Sequence, residues 1–170
     1  MAELERRFLW VNRWALILIL AAMSIIIFAN VMLRYLTDES LTWAEEVARH
    51  LMIWLTFLGA GPVLRYGGHI AIDNVQDALP KNAAMALRAV IAAHLLAYFG
   101  FMMWFGWLYV ERTSTQFTAA TQIPFSYIYL AMPIGGLLLL IHFLFIFRDY
   151  VLERKFASDE HFDANASASL

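Results

Sequence analysis

Four apolar stretches, each uncharged over much of a bilayer's thickness, leave this chain few ways to fold. Trp14–Leu33 runs 20 residues without a charge, Ala89–Val110 runs 22 and Ile128–Phe147 runs 20. Leu51–Leu64 runs only 14, but reaches 24 as Leu41–Leu64 once Glu45, Glu46 and Arg49 are admitted to its outer turns. A helix that crosses the hydrocarbon core needs about 20 residues at about 1.5 Å rise each. With 62% of residues hydrophobic, a soluble fold would have no surface left to cover such helices. The expected fold is an all-α integral membrane protein with four transmembrane helices, at about 14–33, 41–64, 89–110 and 128–147.

Orientation follows from the positive charges between the spans. One face would hold nine Lys and Arg residues (Arg6, Arg7, Arg13, Arg65, Lys81, Arg88, Arg148, Arg154 and Lys155) and the other only Arg34, Arg49 and Arg112. Both termini and the long central loop are therefore expected in the cytoplasm. The first 156 residues read as one membrane domain, because no loop is long enough for a soluble one. Residues 157–170, rich in Ser, Asp, Asn and Ala, read as a disordered cytoplasmic tail. Within the central loop, Ala71, Ile72, Val75 and Leu79 recur at helical spacing, opposite His69, Asp73 and Asp77. That pattern predicts a short helix lying in the membrane interface. No basic run points to nucleic acid, and zero cysteines exclude disulfides and thiolate chemistry.

Small residues mark where helices can approach closely. They are Gly59-Ala60-Gly61 before Pro62, the stripe Ala89, Ala93, Ala97 and Gly100 in the third span, and Gly135-Gly136 after Pro133 in the fourth. Pro62 is expected to bend or thin the second helix and Pro133 to kink the fourth. The polar cluster of interest sits at the outer ends of the first two spans: Arg34, Glu45, Glu46 and Arg49. Glu45 and Arg49 stand at i,i+4 and Glu46 and Arg49 at i,i+3, so either pair can meet on one helix face, with Arg34 at similar depth. Charges near lipid are costly unless paired or close to headgroups, so pairing is expected. Thr42 with Glu45 also fits a capping box. Nothing resembles a nucleophile with its base, and no catalytic residue, metal site or cofactor is expected.

Two alternatives use other residues. His94 and His142 each lie five residues from the cytoplasmic end of their spans, about 8 Å deep. Matched histidines on separate helices are what a bis-imidazole haem in a redox anchor subunit requires. A small standalone proton-coupled exporter is the other alternative, although the carboxylates lie near a membrane edge rather than at mid-membrane.

Several pieces in order resemble the small membrane subunit of tripartite ATP-independent periplasmic (TRAP) transporters. They are Asn30-x3-Arg34-Tyr35, Leu41-Thr42-Trp43-Ala44-Glu45-Glu46-x2-Arg49, Trp54-x2-Phe57-x-Gly59-Ala60, Arg65-x3-His69-Ile70-x2-Asp73 and Leu79-Pro80. The resemblance implies a scaffold in the bacterial inner membrane, without catalytic residues. It would anchor a large multi-span TRAP membrane subunit that carries the substrate and sodium sites. A periplasmic substrate-binding protein would deliver an organic acid, such as a C4-dicarboxylate or sialic acid. Arg34, Trp43, Glu45, Glu46, Arg49, Trp54, Gly59, Arg65, His69 and Asp73 become the candidates for structural or partner contact. Membrane lipids complete the expected surroundings.

Overall fold

A computed structural model describes residues 2–67, 79–153 and 156. The interfacial helix expected around Ala71–Val75, with His69 and Asp73, lies outside the described residues, as does the 157–170 tail. The described elements are α1 (Ala2–Thr37), α2 (Ala44–Arg65), α3 (Lys81–Arg112), a short α4 (Phe125–Tyr129) and α5 (Ala131–Glu153). Among the described residues four helical stretches, with α4 and α5 counted together, are long and apolar enough to cross a membrane.

Contacts arrange the long helices in a row, α1–α2–α5–α3. Asn12 reaching Leu58, Leu16 near Gly59 and Asn30 reaching Leu41 make α1 and α2 antiparallel. Gly106 against Pro133, Phe99 against Phe143 and Arg88 on Val151 make α3 and α5 antiparallel as well. By contrast, Phe57 meets Gly135 and Gly61 meets His142, so the central pair α2 and α5 run parallel. The α1–α2 connection and the 113–124 loop therefore share one end of the protein, called here the hairpin end. The other end carries the start of α1 and the last turns of α5.

The α2–α5 seam is closer than any side chain would allow. A Cβ on Gly61 would sit 2.4 Å from Cδ2 of His142, and one on Gly135 would sit 2.7 Å from Cβ of Phe57. The small residues of these two segments thus permit the approach their sequence announces. The core proper lies between α3 and α5, where Ala92, Phe99, Leu139, Phe143, Ile146 and Tyr150 are buried together. Phe143 is its hub, meeting Phe99, Phe147 and Tyr150 edge to face. At the far end from the hairpins, Arg88 donates to the carbonyls of Val151 (2.9 Å) and Leu152 (3.3 Å), satisfying acceptors that the last turn of α5 leaves free.

The prolines of the second and fourth spans sit in different settings. Pro62 lies inside α2, which continues to Arg65. Proline has no N–H, so the carbonyl four residues back, Leu58, loses its helical donor. The Asn12 amide of α1 fills that vacancy at 3.3 Å. Pro133 falls in the first turn of α5 rather than mid-helix, and the residue four before it, Tyr129, is the last of α4. The fourth span is thus two helical pieces meeting at Leu130, because Tyr129 is where the missing donor interrupts the ladder.

Candidate functional site

The polar cluster expected among Arg34, Glu45, Glu46 and Arg49 is rearranged. Glu46, in the first turn of α2, turns away from Arg49 and toward the 113–124 loop. Its Oε2 accepts the backbone N–H of Ala120 (2.8 Å), and its Oε1 accepts the N–H of Thr121 (3.0 Å) and the Thr121 hydroxyl (2.5 Å). Three donors converge on one carboxylate, a stronger arrangement than one exposed ion pair because hydrogen bonds to an ionised acceptor are charge-assisted.

The loop is built to offer those donors. Phe117 and Pro124 bridge antiparallel, with Thr118 N donating to Ile123 O at 3.0 Å and Phe125 N to Gln116 O at 2.9 Å. Inside this hairpin the buried Thr118 hydroxyl accepts the Ile123 N–H at 3.0 Å and meets the Thr121 hydroxyl at 2.8 Å. Gln122 adopts a left-handed φ of 57°, and its side chain donates back to the carbonyls of Thr118 and Ala119, both at 3.0 Å. The turn thereby aims the N–H groups of residues 120 and 121 at α2.

No ion pair involves Arg34, Glu45 or Arg49 among the described residues. All three are exposed, as is Trp43, whereas Trp54 and Gly59 are half-buried. The capping box does not form, because α2 begins one residue later than that motif needs. Trp43 occupies the cap position without a side-chain hydrogen bond. Asn30 instead organises the connection, its Oδ1 accepting the Leu41 N–H at 2.7 Å.

At the other end Arg65 is buried rather than presented to a partner. It pairs with Glu5 of α1, and its guanidinium lies 5.6 Å from the centroid of the Phe145 ring. Nearby, His142 is fully buried, its Nε2 3.1 Å from Asn12 Nδ2 and its ring 5.0 Å from Phe8. His94 is exposed on α3, with Nδ1 2.9 Å from the carbonyl of Val90 one turn back. One histidine faces the α1–α2 pair while the other faces outward, so they do not converge on a shared haem plane. Asn12, Arg88, Thr118 and Thr121 were not among the sequence candidates. Only the position of Asn12, a polar residue flanking a long apolar run, offered any signal.

What remains uncovered is large and apolar. None of the most hydrophobic 18-residue window of α1 is buried. On α3, Val90, Phe101, Trp104 and Phe105 are exposed beside Ala93, Ala97 and Gly100. A Cβ on Gly100 would meet nothing within 4 Å, so this small-residue stripe packs against no other helix among the described residues.

The family model for the DctQ component of tripartite ATP-independent periplasmic transporters matches residues 23–150, which contain the groups just described from Asn30 to Tyr150. The chain belongs to the DctQ component family. A putative TRAP transporter small permease protein of Haemophilus influenzae is 30% identical over 71% of this chain and 74% of the relative. The ectoine TRAP transporter small permease protein TeaB of Halomonas elongata is 35% identical over 69% of this chain, though the match spans only 62% of that relative's own length. The isethionate TRAP transporter permease protein DctMQ of Oleidesulfovibrio alaskensis is 24% identical over 79% of this chain, which accounts for 21% of that much longer protein. A DctQ component is a small permease subunit by these names, and this multi-pass membrane chain has that character. The DctMQ relative joins such a region to a large permease in one polypeptide, in keeping with a small subunit that works beside a large one.

Proposed function

We propose that this chain is the scaffold subunit of a sodium-coupled TRAP transporter for organic acids in the bacterial inner membrane. It packs against and anchors a large permease subunit, and its hairpin end faces the periplasm, where a substrate-binding protein docks. The observation that carries this reading is the outward face of α3, whose small residues and aromatic rings are uncovered among the described residues. Apolar exposure alone suits lipid, but a stripe of small residues is the pattern by which helices approach one another in membranes.

Other features support the same reading. Nine of the twelve Lys and Arg residues belong to the end with the chain termini and the central loop, which favours a cytoplasmic placement of that end. Relatives named for ectoine and for isethionate share this region, which favours a substrate site in the other subunits. The Glu46 clasp, with Arg34 and Trp43 exposed on the same connection, supplies a shaped polar surface for docking. Trp54, Gly59 and Arg65 act inside the subunit.

The deciding experiment is a mild-detergent pull-down of the tagged chain from native membranes, with co-purifying proteins identified by mass spectrometry. A stoichiometric, multi-span permease is the expected partner. Recovery of the chain alone, under conditions that preserve other membrane complexes, would remove the scaffold reading.

A further inference from the structure

Between the hairpin-end halves of α1 and α2 lies an open groove of about 620 Å³. Its walls are Met23, Ile27 and Val31 of α1 and Met52 of α2, and Glu45 and Arg49 stand at its edge. Val31 to Met23 spans eight residues, about 12 Å along the axis, which is most of the depth of one leaflet of a roughly 30 Å hydrocarbon core. The groove is therefore apolar along its length and charged only toward the hairpin end.

The two charges are arranged in depth. Glu45 is in the first turn of α2 and Arg49 lies one turn further in, about 6 Å along the axis. Their i,i+4 spacing favours a mutual ion pair. Yet neither forms an ion pair or side-chain hydrogen bond among the described residues. Glu46, next along the helix, is already committed to the 120–121 turn. An anion acceptor and a cation acceptor thus stand open, one turn apart, above an apolar channel.

We propose that this groove binds one phospholipid with a zwitterionic, primary-ammonium headgroup, of the ethanolamine type. Arg49 takes the phosphate, Glu45 the ammonium, and one acyl chain lies between α1 and α2. The order of the charges is the order in such a lipid at a membrane surface. The phosphate joins the glycerol and lies toward the chains, and the ammonium is carried at the free end. Guanidinium matches phosphate oxygens with paired N–H donors, and a carboxylate accepts the N–H bonds that a primary ammonium offers and a quaternary one lacks. A helix of another protein could fill the apolar channel. To satisfy both charges, it would also have to bring an anion and a cation at the same one-turn separation.

The chain contains no cysteine, so Ser24→Cys places a single thiol in the groove lining. A benzophenone attached there, irradiated in native membranes with the assembly intact, is expected to give an adduct heavier by one phospholipid. A covalent link to another polypeptide instead would overturn the proposal in favour of a protein occupant. A second measurement uses the complex purified with its membrane partners, exchanged into defined lipid and examined by native mass spectrometry. Wild type should retain a phosphatidylethanolamine in preference to phosphatidylglycerol by about tenfold, the scale of one charge-assisted hydrogen bond. Glu45→Gln should erase that preference and keep the lipid, while Arg49→Gln should lose both lipids by about tenfold. Equal retention of the two lipids in wild type would mark ordinary annular lipid and overturn the proposal. So would unchanged retention in a folded Arg49→Gln. If that variant does not fold, the Ser24→Cys adduct decides.

Discussion

Asn12 of α1 donates to the carbonyl of Leu58 in α2, the carbonyl that Pro62 leaves without a helical donor. The same amide nitrogen lies 3.1 Å from Nε2 of the buried His142 in α5. One side chain therefore ties three helices together where two acceptors, one of them fully buried, would otherwise face an apolar surrounding unpaired. An unpaired polar group costs most in such a medium.

That relationship predicts a mutational cycle. Asn12→Ala should destabilise the protein by about 1–2 kcal/mol, the usual cost of leaving buried acceptors unpaired. Pro62→Ala restores the backbone donor to Leu58, so in the Asn12→Ala background it should recover part of the loss, about 0.5–1 kcal/mol. Thermal unfolding of the four variants in detergent measures the coupling. Strict additivity of the two substitutions would show that the Leu58 carbonyl is not what Asn12 serves.

Gly61→Ala should be damaging and Gly100→Ala harmless to the fold. The first places a methyl 2.4 Å from His142 Cδ2, whereas the second meets nothing within 4 Å. Overpacking of this kind costs about 1–3 kcal/mol. A second substitution, His142→Ala, should relieve most of the clash, although it removes the partner of Asn12. Melting temperatures of the single and double variants check both parts.

Glu46→Ala should loosen the 113–124 loop without disturbing the helices. It removes three hydrogen bonds to a carboxylate and leaves the N–H groups of Ala120 and Thr121 without that acceptor. A loss of about 1.5–3 kcal/mol is expected locally, with Glu46→Gln intermediate because one carbonyl acceptor survives. Faster amide hydrogen exchange at residues 118–123, with helical content unchanged, is the readout. Unchanged exchange there would show that the clasp does not hold the loop. If the loop also helps dock the binding protein, transport should fall while the yield of the membrane complex holds.

Ala93→Leu combined with Ala97→Leu should separate folding from assembly. Both positions are exposed, so the larger side chains displace nothing inside the chain. Recovery of the large permease subunit in a pull-down should drop several-fold, while insertion and melting temperature stay near those of wild type. Full recovery of the partner would move the contact to another face, α1 being the other large uncovered surface.

The spans could be read from sequence because an uncharged run of about 20 residues has essentially one stable fate in a bilayer. Their ends were less visible. The described α1 and α3 extend well beyond the apolar limits, to Ala2–Thr37 and Lys81–Arg112, since helices continue past the lipid into charged turns. Gly61 and Gly135 were visible as places of close approach, but Ala93 and Ala97, which look the same in sequence, face outward. A small residue says that something can come near and does not say what. The partner of Glu46 was hidden for a different reason. Its donors are mostly backbone N–H groups of a turn some 75 residues away, and backbone donors carry no side-chain signature. Arg49, three residues on, was the pairing that local spacing suggested, and longer-range geometry overrode it.

The parallel seam between α2 and α5 has a consequence for how the protein is made. Each antiparallel pair, α1 with α2 and α3 with α5, is contiguous in the chain and can enter the bilayer as a unit when it leaves the ribosome. The seam joins elements synthesised far apart, so it closes only after both pairs are in place, the second stage of a two-stage assembly. Gly61 and Gly135 are thus residues of docking rather than insertion. Bulk at either should yield chains that reach the membrane in normal amounts, fail to lock, and fall to quality-control proteases there.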